Sequence, residues 1–347
     1  MPVRQLSAAT RSLLCALAPS IPVTTTPAEI IRFRTTPNLG FARASYELTE
    51  SCNLACAHCY LGGQKRASPL TLAEKLRLID FIEKSGCVWL QLTGGEPLTD
   101  QHFISVYLRA VHRGLLVSVS SNGVLLSWPH FRRLFVNAPP YRLTISLYGS
   151  SPQSYGALTG APAAFSQVAQ SVSWAIEAGI RMRLSIILTT YNAHEEEKMV
   201  EFAKGLGVEY YVYKKLTPTI TGDASPLCLQ QEPSSRPHNE GRNPPACMAG
   251  RSFYHIDTAG MASICKISRL HQTNLVQDGI DSLMLLAATA DAELAIPDSC
   301  TNCTSADSCS MCGPERRLYI RASGSCPFCA DHSNRKGGDD NGNPVFD

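Results

Sequence analysis

The sequence predicts an α/β protein: a partial (β/α)6 barrel followed by a small Cys-rich C-terminal extension. Two observations carry that reading. Six short β-rich runs alternate with five amphipathic helical patterns between residues 43 and 215, an order that calls for a parallel sheet with right-handed crossovers. The cysteines then crowd residues 247–329, far beyond what an ordinary core needs.

Taken in order, the first strand is expected in "ARASYELT" and the second in "CVWLQLT", with "LTLAEKLRLIDFIEKSG" as the helix between them. In that helix Leu72, Leu76, Ile79 and Ile82 recur at helical spacing. "DQHFISVYLRAVHRG" leads to the third strand, "LLVSVSS", and "WPHFRRLFVNAP" to the fourth, "YRLTISLY". "FSQVAQSVSWAIEAG" precedes the fifth strand, "RMRLSIILT", and "EEEKMVEFAKGLG" precedes the sixth, "VEYYVYKKL". Gly86, Gly114, Gly179 and Gly207 stand where helices should end, as glycines that can take the left-handed closing conformation. The segment 216–246 is rich in Pro, Gly, Ser and Asn and reads as a linker. The expected organisation is therefore an N-terminal segment 1–42, the barrel core 43–215, the linker 216–246, the Cys-rich domain 247–330 and a polar, disordered tail 331–347.

Composition narrows the classes of partner. A formal net charge of +2 on 347 residues gives no basic excess for nucleic acid or a membrane surface. No apolar run approaches the ~20 residues of a membrane span. The apolar stretch from Leu13 to Ala18 is shorter than a signal-peptide core, so a cytoplasmic location is expected. Fourteen cysteines in a reducing compartment point to metal rather than disulfides.

The first metal candidate is "SCNLACAHCY", where Cys52, Cys56 and Cys59 are spaced C-x3-C-x2-C just after the first strand. Structural zinc takes four ligands, and these thiols could be half of such a site with a remote fourth. A [4Fe–4S] cluster held by three cysteines instead keeps one iron open for a substrate or cofactor. Further polar motifs end the next strands: "LTGGEP", "SSNG", "SLYG" and "LTTYN". Gly94 and Gly95 permit close backbone approach, and Glu96 could accept a hydrogen bond from an amino group. In barrels of this kind, chemistry sits at the C-terminal strand ends.

At these residues the chain resembles the radical SAM enzymes, whose signature is C-x3-C-x-aromatic-C. Cys52, Cys56 and Cys59 match it, with His58 at the aromatic position and Tyr60 after the last Cys. The resemblance implies a radical SAM [4Fe–4S] cluster whose open iron is chelated by S-adenosyl-L-methionine. It implies reductive cleavage of that cofactor to a radical that abstracts hydrogen from an unactivated C–H bond. It also implies cofactor contacts from Tyr60, Gly94, Gly95, Glu96, Asn122 and Ser146, and adenine or ribose contacts near "LTTYN". For Asn122 and Ser146 a purely structural role at a strand end stays open.

The C-terminal cysteines resemble the SPASM extension of the same enzymes, which binds two auxiliary iron–sulfur clusters. Its pattern is C-x9-15-G-x4-C, then C-x2-C-x5-C-x3-C, then a last Cys. Cys247, Gly260 and Cys265 fit the first part, and Cys300, Cys303, Cys309 and Cys312 the second. The chain departs in two places: Cys309 to Cys312 is one residue short, and the final Cys is doubled as Cys326 and Cys329. Carried over, one cluster would use Cys247, Cys265 and Cys312. The other would use Cys300, Cys303, Cys309 and one of Cys326 or Cys329. Paired C-x2-C units also fit a zinc ribbon.

Within the family, "ISLYGSSPQSYGALTGAPAAF" and "AGIRMRLSIILTTYN" look most like maturases of ribosomally made peptides. The function expected is crosslink formation in a precursor peptide, fed by an external flavodoxin- or ferredoxin-type electron donor. The segment before the first strand is too short for a winged-helix leader-binding domain, which predicts a separate leader-recognition protein or direct leader binding. Alternatives are a peptide epimerase with Cys228 as hydrogen donor, a dehydrogenase or epimerase of a small metabolite such as an aminoglycoside, and a non-catalytic iron–sulfur or zinc protein. Cys15 and Cys87 read as small buried hydrophobes.

Overall fold

A computed structural model describes residues 40–63, 68–231, 247–295 and 312–323. The expectations for the N-terminal segment, the tail and Cys15, Cys300, Cys303, Cys309, Cys326 and Cys329 lie outside these residues.

The six expected strands form one parallel sheet: β1 (Arg43–Glu47), β2 (Trp89–Thr93), β3 (Leu116–Ser121), β4 (Arg142–Leu147), β5 (Met182–Ile187) and β6 (Glu209–Tyr213). They lie in sequence order and the sheet does not close: β6 is one edge, while the other edge is extended beyond β1. This is the partial barrel that the sequence predicts. The helices between them are α1 (Leu72–Lys84), α2 (Phe103–His112), α3 (Pro129–Asn137), α4 (Pro152–Thr159), α5 (Ala164–Glu177) and α6 (Glu196–Gly205). The short α4 has no counterpart in the sequence reading. Ser151 caps it by accepting from the Ser154 amide, and Pro152 opens it, so local start signals outweigh its weak amphipathicity.

Alternation along each strand sorts the two faces of the sheet. Leu90 and Leu92 of β2, Val117 and Val119 of β3, and Leu143, Ile145 and Leu147 of β4 are buried in the core. The opposite, concave face carries Gln91, Ser118, Ser120, Thr144, Ser146 and Ser185. Gly86, Gly114, Gly179 and Gly207 all have φ between 65° and 86°, closing α1, α2, α5 and α6 as expected.

Helix α1 corrects one expectation. Its buried residues are Lys75, Leu78, Ile79 and Ile82, so Leu72 and Leu76 lie at the margin of the buried stripe. Lys75 can occupy the core because its ammonium meets Asp100 at 2.5 Å and donates to the Leu48 carbonyl at 3.3 Å. Both partners are almost wholly buried, and removing one charge leaves the other uncompensated. Lys75→Met is therefore expected to destabilise the fold by about 3–5 kcal/mol. Denaturant unfolding checks this, and an unchanged midpoint would show that the pair adds nothing.

The sheet runs on past β1. Strand β7 (Phe253–Ile256) pairs parallel to β1, and β8 (Met261–Ser263) and β9 (Thr273–Asn274) follow antiparallel. Helices α7 (Leu275–Asp278), α8 (Leu283–Leu294) and α9 (Gly313–Ser323) complete the described part of the extension. Its first strand thus covers the edge of β1 that an isolated barrel core would leave open. Among the described residues, no helix is long and apolar enough to cross a membrane.

Candidate active site

The loop after β1 carries Cys52, Cys56 and Cys59, all half-buried. Two sets of backbone hydrogen bonds hold it. Ala55 and Ala57 donate to the carbonyls of Thr159 and Leu158 at the end of α4. From the turn after β2, the Gly95 amide donates to Thr49 O at 2.7 Å and the Glu96 amide to Ser51 O at 2.9 Å. That approach requires glycine: a Cβ on Gly94 would lie 2.4 Å from Thr49 O, and one on Gly95 2.4 Å from Glu50 O.

A cavity of about 310 Å³ opens over this loop. Cys52, Cys56, Cys59, Tyr60, Gly94 and Gly95 line it, together with Asn122 at the end of β3 and Ser146 on β4. Eight sequence candidates are thereby brought to one site. Thr93, Ser120, Ser121 and Tyr148 also line it and were missed, although the inward alternation of β2 and β3 could have found the first two. Asn122 spans the site: its Nδ2 donates to Asn53 Oδ1 at 2.8 Å and lies 3.8 Å from Cys52 Sγ.

Glu96 does not line the cavity. It is fully buried behind the turn, where Leu98 N and Ser121 Oγ donate to Oε1 and Asn122 N donates to Oε2. Burial pushes its carboxyl up to about 7, against the lowering effect of those donors. Through these bonds Glu96 fixes the end of β3 to the glycine turn. The motif "LTTYN" is braced by its own hydrogen bonds. Asn192 accepts from Thr189 N and donates to the carbonyls of Tyr148 and Ile187, and both residues are buried.

Burial sets the character of the pocket. It pushes the Cys56 thiol up to about 12, with the neighbouring Cys52 and Cys59 adding to the rise, and it also raises Cys52. His58 is held neutral, its pKa lowered to about 4 by burial. Among the described residues, no three His, Cys, Asp or Glu side chains converge on the position of a single ion. Thiols distributed around one cavity, each within electrostatic reach of the others, fit ligation of separate corners of a cubane. The donor set and the glycine cradle beside it therefore fit a [4Fe–4S] cluster with a cofactor on its free side.

A second feature was not legible as a site. Tyr60 donates to Glu47 Oε1 at 2.5 Å, and Arg269 donates to Glu47 Oε2 at 3.0 Å. His255 Nε2 stands 3.5 Å from Glu47 Oε1, and its Nδ1 lies 2.7 Å from Ser45 Oγ. Burial works to raise the Glu47 carboxyl, but His255, Arg269 and Tyr60 together hold it down at about 2. The residue next to Cys59 is thus tied to the extension through a buried charge.

In the extension, Cys247 is exposed while Cys265 and Cys312 are half-buried. Burial pushes Cys265 up to about 11, and both Cys312 and Cys247 are close enough to add to the rise. Cys228 is exposed, in the turn Ser225–Leu229, whose last carbonyl accepts from Thr190 N just beyond β5. It sits on the C-terminal side of the sheet but outside the cavity lining.

Residues 46–203 match the family model described as the Radical SAM superfamily. The AdoMet-dependent heme synthase of Methanosarcina barkeri is 32% identical over 184 residues, 52% of this chain and 52% of that protein. The probable GTP 3',8-cyclase of Sulfurisphaera tokodaii is 29% identical over 178 residues, 50% of this chain and 56% of that protein. The chain thus spans about half the length of the curated relatives it matches. Among solved structures, Streptococcus suis SuiB bound to S-adenosylmethionine aligns over 92% of this chain and 87% of its own, at a TM-score of 0.63 and 13% identity. SuiB bound to its precursor peptide SuiA aligns over 90% of this chain and 82% of its own, at a TM-score of 0.61. At that identity the likeness is one of fold.

Proposed function

Residues 46–203 are a radical SAM domain, and from that premise we propose that the chain cleaves S-adenosylmethionine reductively and forms a crosslink in a ribosomally made peptide. The observation that carries this reading is the convergence of three thiols, the glycine turn and the polar ends of β3 and β4 on one cavity. Bound and reduced, the cluster and its cofactor supply a radical that abstracts hydrogen from an unactivated C–H bond.

The protein's own contribution follows from the residues around the cavity. Cys52, Cys56 and Cys59 would each hold one corner of the cluster. The backbone of Gly94 and Gly95 offers the close approach that an amino-acid moiety needs. Asn122, Ser146, Ser120 and Thr93 present donors and acceptors to the rest of the cofactor, while Leu54 and the rings of Tyr60 and Tyr148 limit water. In the extension, Cys247, Cys265 and Cys312 would hold one auxiliary cluster. Cys300, Cys303, Cys309 and one of Cys326 or Cys329 would hold the other. A crosslink requires the substrate radical to lose an electron, and an auxiliary cluster is a suitable acceptor. The first electron comes from an external donor of flavodoxin or ferredoxin type, and the leader is bound either by a separate recognition protein or by the barrel and extension directly.

The fold shared with SuiB over most of the chain supports the peptide substrate. The names of the curated relatives support a second reading, in which the substrate is a small metabolite. Reaction of the reduced, reconstituted protein in deuterated water with candidate peptides tests both the substrate and the route. The expected product is two mass units lighter than the peptide and forms equally well in Cys228→Ala, whose thiol lies outside the cavity. A product carrying one solvent deuteron, lost in Cys228→Ala, would make the chain an epimerase. Turnover of small metabolites but no peptide would overturn the peptide reading.

A further inference from the structure

The concave face of the sheet changes character below the cavity. Ser146 of β4 lines the cavity, and Ser185 of β5 is its register partner. Two residues back along β5, on the same face, is Arg183, the register partner of Thr144; four residues back from Ser146 along β4 is Arg142. At about 3.3 Å per residue, these levels lie about 7 and 13 Å below the serines. Neither arginine is accounted for by the site above.

Three observations make this pair unusual. The Nε atoms of Arg142 and Arg183 are both shielded from solvent, and neither has a hydrogen-bond partner among the described residues. Arg142 and Arg183 stand on a cross-strand diagonal of the same face, within reach of long side chains; burial lowers the pKa of Arg142, and the like charge of Arg183 lowers it further. The carboxylate at hand is Glu209, the register partner of Arg183 at the start of β6. It stands 3.8 Å from Arg142 and is shared with Arg181 at 3.5 Å, and it is half exposed. Partly buried guanidinium groups usually turn their donors to a carboxylate or phosphate, often through two parallel bonds.

We propose that Arg142 and Arg183 form an anion subsite on the inner face of the half-barrel, taking a carboxylate of the substrate below the cavity where its C–H bond is attacked. The assignment rests on the proposed function and narrows it: the peptide would carry an acidic side chain near the modified residue. Two adjacent groups with orphaned Nε donors suit the two oxygens of a carboxylate.

The test measures binding without S-adenosylmethionine or reductant, so it stands or falls separately from catalysis. Full-length reconstituted protein is titrated with N-acetylglutamate amide, with N-acetylglutamine amide and with inorganic phosphate, and binding is followed by calorimetry or ligand NMR. The expected result is at least tenfold preference for the glutamate probe over the glutamine probe. Arg142→Met and Arg183→Met should each weaken the glutamate probe about tenfold, while Arg183→Lys, which keeps the charge but not the fork, should weaken it less. Should either Met variant fail to fold, Arg183→Lys and the wild-type preference still decide. Equal binding of the two probes to wild type, or unchanged glutamate binding in the variants, would overturn the subsite. Phosphate binding more tightly than glutamate, and lost in the same variants, would overturn the carboxylate assignment. Intact, arginine-dependent glutamate binding in a protein that never cleaves S-adenosylmethionine would uphold the subsite and remove the proposed function.

Discussion

Gly95→Ala is expected to strip the loop after β1 of its cluster and to destabilise the fold by about 3 kcal/mol, the upper end of overpacking costs. The added methyl would lie 2.4 Å from Glu50 O and 2.6 Å from Ser51 O. Both are backbone atoms, so no side chain can swing away to make room. Relief would require the turn after β2 to withdraw from the Cys loop. That movement breaks the bonds from Gly95 N to Thr49 O and from Glu96 N to Ser51 O. These bonds fix the backbone immediately before Cys52, so the position of the first thiol depends on them. Iron content after anaerobic reconstitution, together with the denaturation midpoint, checks the expectation. A variant with wild-type iron and stability would show that the glycine is dispensable. Gly207→Ala makes a useful contrast: it imposes a strained φ, which Gly95→Ala does not, but its Cβ meets no atom within 4 Å.

The parts of this fold that were legible in the sequence depend on local pattern. Each strand of the barrel announces itself by alternation, and Gly86, Gly114, Gly179 and Gly207 end their helices for a reason contained in the residue itself. The glycine turn and Asn122 were found because they follow strands, where this architecture places its chemistry. The failures depend on distant partners. Lys75 looked polar because its charge is neutralised by Asp100, which lies beyond β2. Glu47 looked like an ordinary strand residue because Arg269, which pairs with it, lies 222 positions away. The bracing role of Glu96 is not legible because two of its donors, Ser121 and Asn122, meet it only once β2 and β3 are side by side. Strands β7, β8 and β9 were overlooked because they are four, three and two residues long, too short for a period to register. Arg142 and Arg183 fall on the inner face by alternation, but their adjacency comes from the register of β4 on β5, which a single strand's sequence cannot reveal.

The second large effect is that of removing the three thiols of the loop after β1. Cys52, Cys56 and Cys59 all border the cavity, and a cubane held by three protein ligands does not survive without them. With three cubane clusters, the reconstituted wild type should hold about twelve irons, and the triple Ala variant about four fewer. Because Cys247, Cys265 and Cys312 belong to the extension, their cluster should persist, so the loss is confined to one site. The decisive measurement is 5′-deoxyadenosine formed from S-adenosylmethionine by the anaerobically reduced protein. Wild type should produce it, and Cys52→Ala/Cys56→Ala/Cys59→Ala should produce none while keeping the remaining iron. Continued cleavage in the triple variant, or none in an iron-replete wild type, would contradict radical chemistry at this cavity.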